Sequence, residues 1–179
     1  MVGVVLVVAV LVIALLLVFR SGSSKPPTTP MASYANNPTA QVSMLIDGPV
    51  NAPSLHNQVQ VVINNTSTTF NVFQGYDSEL KANRTFPMSE AAFHVFLRSL
   101  EYANYNSGSN NPALSQASGY CPTGDRYIFS FSVNGVQKQR YWATSCGGTQ
   151  TYGGNLNLTI QLFQAQVPNY GSLIGGLNI

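Results

Sequence analysis

The sequence predicts an α+β protein: an antiparallel sheet with helices packed on one face, preceded by an N-terminal transmembrane helix and a Pro/Ser/Thr stalk. Three observations support this fold class. Residues 2–19 form an uncharged apolar run. Short segments with alternating apolar residues then precede one amphipathic segment, so strands and helices are segregated along the chain. Finally, Asn134-Gly135, a pair that favours a type I′ hairpin turn, lies between the chain's two cysteines.

Charged side chains are scarce. They make up 8% of the 179 residues, about a third of the usual share. The net charge of +2 is too small and too dispersed to indicate a nucleic-acid partner. The apolar share of 45% suffices for the core of one domain. Two cysteines allow a single intramolecular disulfide, which implies an oxidising compartment.

The apolar run at residues 2–19 contains no charge and no proline, and its 18 residues are enough to span a bilayer as a helix. It lacks the basic start, shorter apolar core and small-residue cleavage site of a cleaved signal peptide. We therefore expect residues 1–20 to be a single-pass anchor whose partner is the lipid bilayer. Residues 21–40, with prolines among Ser, Thr and Asn, are expected to form a disordered, extended stalk.

The orientation of this anchor has two opposing indications. Arg20 and Lys25 follow the span, and the positive-inside rule would place them, with the domain, in the cytoplasm. A disulfide and a surface poor in charge instead favour an oxidising, external location. We predict a cell-membrane protein whose domain faces outside.

The folded domain is expected over residues 41–170, followed by a loose tail at residues 171–179. A short apolar run that ends at Gly48-Pro49 predicts a first strand at residues 41–47. Apolar residues at alternating positions predict three more strands before the helix, at residues 57–63, 68–74 and 79–86.

Two helices are predicted. Residues 89–104 begin with Ser89 as the N-cap and carry an apolar stripe, formed by Phe93, Phe96, Leu97 and Leu100. A shorter helix, about residues 157–167, is expected to stop at Pro168 and to bury Leu158, Leu162 and Phe163.

The hairpin at residues 120–148 allows two registers. A two-residue turn at Asn134-Gly135 predicts the facing pairs Phe131–Lys138, Phe129–Arg140 and Tyr127–Trp142. This register places Cys121 and Cys146 on one face at a diagonal distance of about 7–8 Å, and an irregular Cys121-Pro122 step would close the remaining gap. A three-residue loop with Gly135 in a bulge would instead place Tyr141 on the face of Phe129 but separate the cysteines. We prefer the first register because it accounts for both the turn and the cysteines.

Cys146 lies in a Thr-Ser-Cys-Gly-Gly segment that resembles a nucleophile beside a flexible loop. A catalytic cysteine needs a base, and the two histidines are expected on the polar side of a helix (His94) and at the start of a strand (His56). A zinc site built from both cysteines and both histidines would lack any close pair of ligands. We therefore predict a structural disulfide between Cys121 and Cys146, no enzyme activity, no metal and no cofactor.

A binding surface is predicted on the hairpin. Lys138 opposite Phe131 and Arg140 opposite Phe129 would form a cation–π ladder, and the neighbouring tyrosines suit a carbohydrate or protein surface. An envelope or host protein is an expected partner. The predicted binding residues are Tyr127, Phe129, Lys138, Arg140 and Trp142.

Several short segments carry a resemblance to known proteins: GPV at residues 48–50, GY at 75–76, AAFHVFLRSL at 91–100, CPTGDRY at 121–127, WATSCGG at 142–148 and LFQAQVPNY at 162–170. With this set the chain resembles small membrane-anchored exported proteins of uncharacterised function from candidate-phyla, Saccharibacteria-like bacteria. The resemblance covers nearly the whole predicted ectodomain. It implies export and anchoring, and no activity or site.

These observations predict a membrane-anchored extracytoplasmic domain that acts as a surface interaction or structural module. The alternative is an inhibitor or accessory subunit of an envelope complex that acts through the Asn- and Ser-rich loop at residues 106–118. A pilin-like subunit ranks lower because the proline-containing stalk would break the continuous helix of a pilin. An enzyme also ranks lower for lack of a base–nucleophile pair.

Overall fold

The computed structural model describes residues 29–179. The predicted anchor and the first part of the predicted stalk therefore lie outside the described residues. Within residues 29–179, no helix combines the length and the apolar character needed to cross a membrane.

Six strands form one antiparallel sheet, as predicted. They are β1 (Gln41–Asp47), β2 (Asn57–Ile63), β3 (Ser67–Gln74), β4 (Glu79–Pro87), β5 (Arg126–Val133) and β6 (Val136–Thr144). The strand order is β4-β3-β2-β1-β5-β6. The first four strands form a meander, and β5 returns beside β1, so β4 and β6 are the edges.

The described residues contain three α-helices, of which the first two were predicted. They are α1 (Glu90–Tyr102), α2 (Leu156–Gln164) and α3 (Tyr170–Ile174). Ser89 caps α1 by accepting a hydrogen bond from Ala92 N at 3.2 Å, and Asn155 caps α2 by accepting one from Leu158 N at 3.1 Å. Such caps satisfy main-chain N–H groups that the first helical turn leaves unpaired.

The helices pack on one face of the sheet, as predicted. The α1 residues Phe93, Phe96, Leu97 and Leu100 are buried against the alternate strand residues that face them, among them Val42, Met44, Val61 and Phe129. In α2 the prediction was partly wrong: Phe163 is buried, but Leu158 and Leu162 are half-buried and line a groove beside α1.

The opposite face of the sheet carries a smaller core. The chain between α1 and β5 crosses this face and buries Ala117 against Ile128 and Trp142, with Leu114 and Tyr120 packed around them. The prediction that Tyr127 faces Trp142 was therefore wrong. Trp142 pairs with Ile128 instead, and its ring lies on the side away from α1.

The hairpin combines features of both predicted registers. Asn134 and Gly135 have φ of +54° and +71° and pair Val133 with Val136, as the two-residue turn requires. Beyond the turn the register shifts between Phe131 and Ser132, and Phe129 faces Tyr141. All three facing pairs that the two-residue turn predicted beyond Val133–Val136 were wrong by one residue, because Phe131, Phe129 and Tyr127 each face the residue after the predicted one. The bulge leaves Lys138 unpaired and allows the Tyr141 ring to join Phe129 in the core.

Cys121 and Cys146 form the predicted disulfide, with a Cα–Cα distance of 5.7 Å. Both cysteines lie outside β5 and β6, so the strand faces do not restrict their pairing. Cys121 has φ of +50°, which agrees with the irregular step expected there. A Cβ at Gly124 would lie 2.8 Å from Cys121 Sγ, so this turn requires glycine to pass over the disulfide.

The domain is larger than predicted at both ends. Residues 31–34 form a 3₁₀ turn, in which Met31 is buried, and Ala32 N donates to Glu101 Oε1 at 3.0 Å. At the other end, residues 171–179 are not a loose tail: Leu173, Ile174, Leu177 and Ile179 pack against the core. The local sequence pattern predicted neither the contacts of residues 31–34 nor the packing of residues 171–179, because both depend on the distant α1 and core strands.

Candidate functional site

The structure does not bring the five predicted binding residues to one surface. Phe129 and Trp142 are fully buried on opposite faces of the sheet, and Tyr127 is half-buried against the main core. Phe131 faces Gln139 and Phe129 faces Tyr141, so the cation–π ladder does not form. Only Lys138 and Arg140 share a surface, where both line one groove.

That groove lies between the loop at residues 109–116 and the edge strand β6, and its volume is about 450 Å³. Most of its lining is polar and uncharged. Five amide side chains and three hydroxyl side chains contribute: Asn110, Asn111, Gln116, Gln137, Gln139, Ser109, Ser115 and Thr151. We call this surface the polar groove.

Main-chain and side-chain bonds hold the loop wall of the polar groove in place. Ser109 N donates to Thr151 O at 2.8 Å, which fixes one end of the wall. Trp142 Nε1 donates to Leu114 O at 2.7 Å, and Arg140 Nη1 donates to Ser115 O at 2.7 Å. The wall is therefore attached to β6 and to the segment beside it, and the groove is formed before any ligand binds.

The polar groove is positively charged. Its lining includes Lys138 and Arg140 but no Asp or Glu. Among the described residues, carboxylates pair with cations only at Asp47 and Glu79, and neither involves these two side chains. Arg140 is half-buried, and its single protein hydrogen bond is to a main-chain oxygen. Most of its five N–H donors are therefore available to a ligand.

The edge of β6 is only partly covered. At Trp142 the edge is closed, because Thr151 N and Tyr152 N both donate to Trp142 O at 2.9 Å. Between Val136 and Arg140, no main chain within residues 29–179 pairs with the outer side of β6. The floor of the polar groove is thus a short, free strand edge that contains the bulged residue Lys138.

A second group of polar residues is buried at the other end of the sheet. Arg126, 3% exposed, donates from Nε to Asp47 Oδ2 at 2.8 Å. Gln58 Nε2 donates to Asp47 Oδ1 at 3.0 Å. His56 Nε2 also lies 3.0 Å from Asp47 Oδ1, but the direction of its N–H does not make a hydrogen bond. Its Nδ1 lies 3.0 Å from Pro49 O.

Two members of this Asp47–His56–Arg126 cluster are closed to solvent. His56 is 1% exposed, and the Tyr76 ring stacks on it at a centroid distance of 4.3 Å, whereas the Asp47 side chain is 21% exposed. No Ser or Cys side chain appears among the cluster's hydrogen-bond partners. The cluster joins β1, β2 and β5. No local pattern in the sequence indicates it, because Asp47 and Arg126 are 79 residues apart.

Asp125 and Tyr127 lie beside the disulfide end of β5, and Tyr127 Oη donates to Asp125 Oδ2 at 3.3 Å. Burial raises the pKa of Asp125 above its usual value, and the bond from Tyr127 and the charge of Arg126 only partly oppose that effect. Burial and the nearby Asp125 carboxylate raise the pKa of Tyr127 to about 12. Each shift stabilises the protonated form of its group relative to that of the free side chain.

A shallow groove separates α1 from α2, with a volume of about 450 Å³ and a mixed lining that includes His94, Arg98 and Ser99. Val95 is 63% exposed and Tyr102 is 85% exposed on its α1 side. Leu158 and Leu162 contribute from α2. We call this surface the helix groove.

The described residues contain no group of three or more His, Cys, Asp or Glu side chains that could hold a metal ion. No protein-family model matches the chain, and a comparison with curated proteins found no match. The sequence identified Lys138, Arg140 and the loop separately, but no local signal showed that they face each other.

Proposed function

We propose that the chain is a non-enzymatic binding module that is held at the cell membrane by residues 2–19 and faces outside. Its binding site is the polar groove. The observation that carries this proposal is Arg140: a half-buried guanidinium that lines the groove, is oriented by Ser115 O and has no carboxylate partner in the described chain. A cation in this position is suited to bind an external group.

One feature supports the external side of the membrane, and a second supports attachment to it. The disulfide between Cys121 and Cys146 is stable in an oxidising compartment. Residues 2–19 are long and apolar enough to anchor the chain, and the resemblance to membrane-anchored exported proteins points the same way. Residues 20–29 would then join the anchor to the domain as a short remaining part of the stalk.

A role as an accessory subunit of an envelope complex is the second candidate. The helix groove favours it, because Val95 and Tyr102 expose large apolar surfaces that a protein partner would cover. The two candidates differ in which groove contacts the partner.

Photo-crosslinking in intact cells separates these candidates. The full chain would carry a benzophenone amino acid at Gln137 in the polar groove, at Tyr102 in the helix groove, or at Thr85, which is exposed on the opposite edge strand. The proposal predicts adducts from Gln137 and none from Thr85. Adducts from Tyr102 alone would favour the accessory subunit. Equal labelling from Gln137 and Thr85, or none from Gln137, would contradict the proposed site.

A further inference from the structure

We infer that the polar groove binds an anionic oligosaccharide, with a sugar carboxylate held by Arg140. This inference rests on the proposed function and adds the chemical class of the ligand. Three properties of the groove support it: two cations without a carboxylate partner, a lining of amides and hydroxyls, and an irregular strand edge.

The charge of the groove selects an anion. Arg140 is held by Ser115 O through Nη1 alone, and the remaining in-plane N–H donors of the guanidinium can bind a carboxylate through two parallel hydrogen bonds. Lys138, exposed in the bulge, adds a second positive charge. No acidic side chain lines the groove, so a bound carboxylate would meet no like charge.

The uncharged lining selects a ligand rich in hydroxyl groups. Each Asn or Gln amide offers two donors and a carbonyl acceptor, and five such amides line the groove. Two are partly occupied within the protein: Asn111 Oδ1 accepts from Ala113 N, and Gln139 Nε2 donates to Tyr105 O. The Thr151 hydroxyl is bound to the Trp142 main chain, so the amides of Asn110, Gln116 and Gln137 remain for a ligand. Neighbouring hydroxyls of a sugar ring can bond to both ends of one amide. Only Pro112 and Leu114 contribute apolar side chains, so a peptide would find little apolar surface on which to bury its own side chains.

The strand edge also argues against a peptide. A peptide that adds to a sheet needs regularly spaced main-chain donors and acceptors. The free edge of β6 is short and is interrupted at Lys138 by the bulge, and a bulge with a lysine is a common way to prevent strand addition. The groove is therefore better matched to an oligosaccharide than to an extended acidic peptide.

Isothermal titration of the full chain, held in phosphatidylcholine nanodiscs with its disulfide intact, tests the inference. The probe is trigalacturonate, and the matched neutral probe is a trimer of galactose with the same linkage. A hexaglutamate peptide and inorganic phosphate provide the other anions. We expect saturable binding of trigalacturonate, at least about tenfold tighter than the neutral trimer, the peptide or phosphate.

Variants of the same chain locate the binding. Arg140→Gln should weaken trigalacturonate binding at least about tenfold, and Arg140→Lys should weaken it several-fold, because Lys keeps the charge but loses the planar fork. Arg84→Gln is the control: Arg84 is exposed on β4, and it too donates from Nη1 to a main-chain oxygen. This control should bind as the parent does. Unchanged unfolding midpoints would show that the variants remain folded.

Four outcomes would overturn the inference. These are no binding of trigalacturonate, equal or tighter binding of hexaglutamate or phosphate, equal binding of the neutral trimer, or an equal loss in Arg84→Gln and Arg140→Gln. The proposed function is tested separately. Adducts from Gln137 in cells, together with no trigalacturonate binding, would reject the saccharide and keep the groove as a binding site. No adducts from Gln137 would reject the site itself.

Discussion

The indole nitrogen of Trp142 donates a hydrogen bond to the main-chain oxygen of Leu114 at 2.7 Å, across 28 residues of sequence. This bond connects β6, which forms the floor of the polar groove, to the loop that forms its wall. The Trp142 ring is fully buried and also packs against Tyr120 at a centroid distance of 4.8 Å. The chain's single tryptophan thus positions the wall of the candidate site.

Trp142→Phe should destabilise the domain by about 1–3 kcal/mol, because Leu114 O loses its donor while the aromatic volume is largely retained. It should also increase amide hydrogen exchange in residues 112–117 more than in α1. Urea unfolding and hydrogen exchange measured by mass spectrometry would test both effects. Phe129→Leu, on the other face of the sheet, is the control. If both variants increase exchange equally throughout the chain, the bond has no special role in holding the wall.

The disulfide should stabilise the domain. Cys121 and Cys146 are 25 residues apart, and closing a loop of that length is worth about 3 kcal/mol in the chain-entropy model. Cys146→Ser should therefore lower the free energy of unfolding by about this amount, and it should shift the Trp142 fluorescence because Tyr120, next to Cys121, loses its constraint. Chemical denaturation followed by fluorescence would measure both. Unchanged stability after reduction of the parent protein would contradict this expectation.

The redox state in cells tests the proposed location. Acid trapping of thiols in intact cells should show Cys121 and Cys146 bridged, because an external domain is not exposed to the reducing systems of the cytoplasm. Free thiols at both positions would contradict the outward orientation. This measurement does not depend on the ligand of the polar groove.

Asp47→Asn should destabilise the domain by roughly 3 kcal/mol, because it leaves the buried guanidinium of Arg126 without a countercharge. Glu79→Gln is the matched control. Glu79 pairs with Lys81 at 2.8 Å, but both side chains are largely exposed, and such a pair contributes roughly 0–1 kcal/mol. Urea unfolding would compare the two variants. Equal effects would show that the buried cluster has no special role in stability.

Asp125 should make stability depend on pH. Burial raises its pKa in the folded protein, so the folded state binds this proton more tightly than the unfolded state does. The resulting stabilisation is complete below the unfolded value and is lost as the pH rises through the raised folded value. Asp125→Asn should therefore be more stable than the parent at pH 7, and this advantage should disappear near pH 3. Urea midpoints at the two pH values would test this. An equal difference at both would contradict it.

Much of the fold could be predicted because its signals are local. The alternation of Val59, Val61 and Ile63 in β2 and the stripe at Phe93, Phe96, Leu97 and Leu100 in α1 give one apolar face each, and the structure buries these faces. The turn at Asn134-Gly135 was predicted for a similar reason, since it needs positive φ at both residues. Each signal lies within a few residues.

The hairpin register could not be predicted in the same way. A bulge changes the face of every later residue in the strand, and its position depends on which aromatic ring the core accepts. Here Tyr141 is buried in the core under α1, and Trp142 is buried on the other face of the sheet. The position of Trp142 follows from the loop that covers it, because Leu114 O accepts the hydrogen bond that the buried indole N–H needs to donate.

Composition and short spacings along the chain were enough to identify the two cations of the candidate site, its supply of amide side chains and the pairing of the two cysteines. The position of residues 109–116 opposite Lys138 and Arg140, and the contact of Asp47 with Arg126, became visible in the folded domain alone. These contacts join distant segments, and their geometry depends on the packing of both faces of the sheet rather than on the local conformation of either segment.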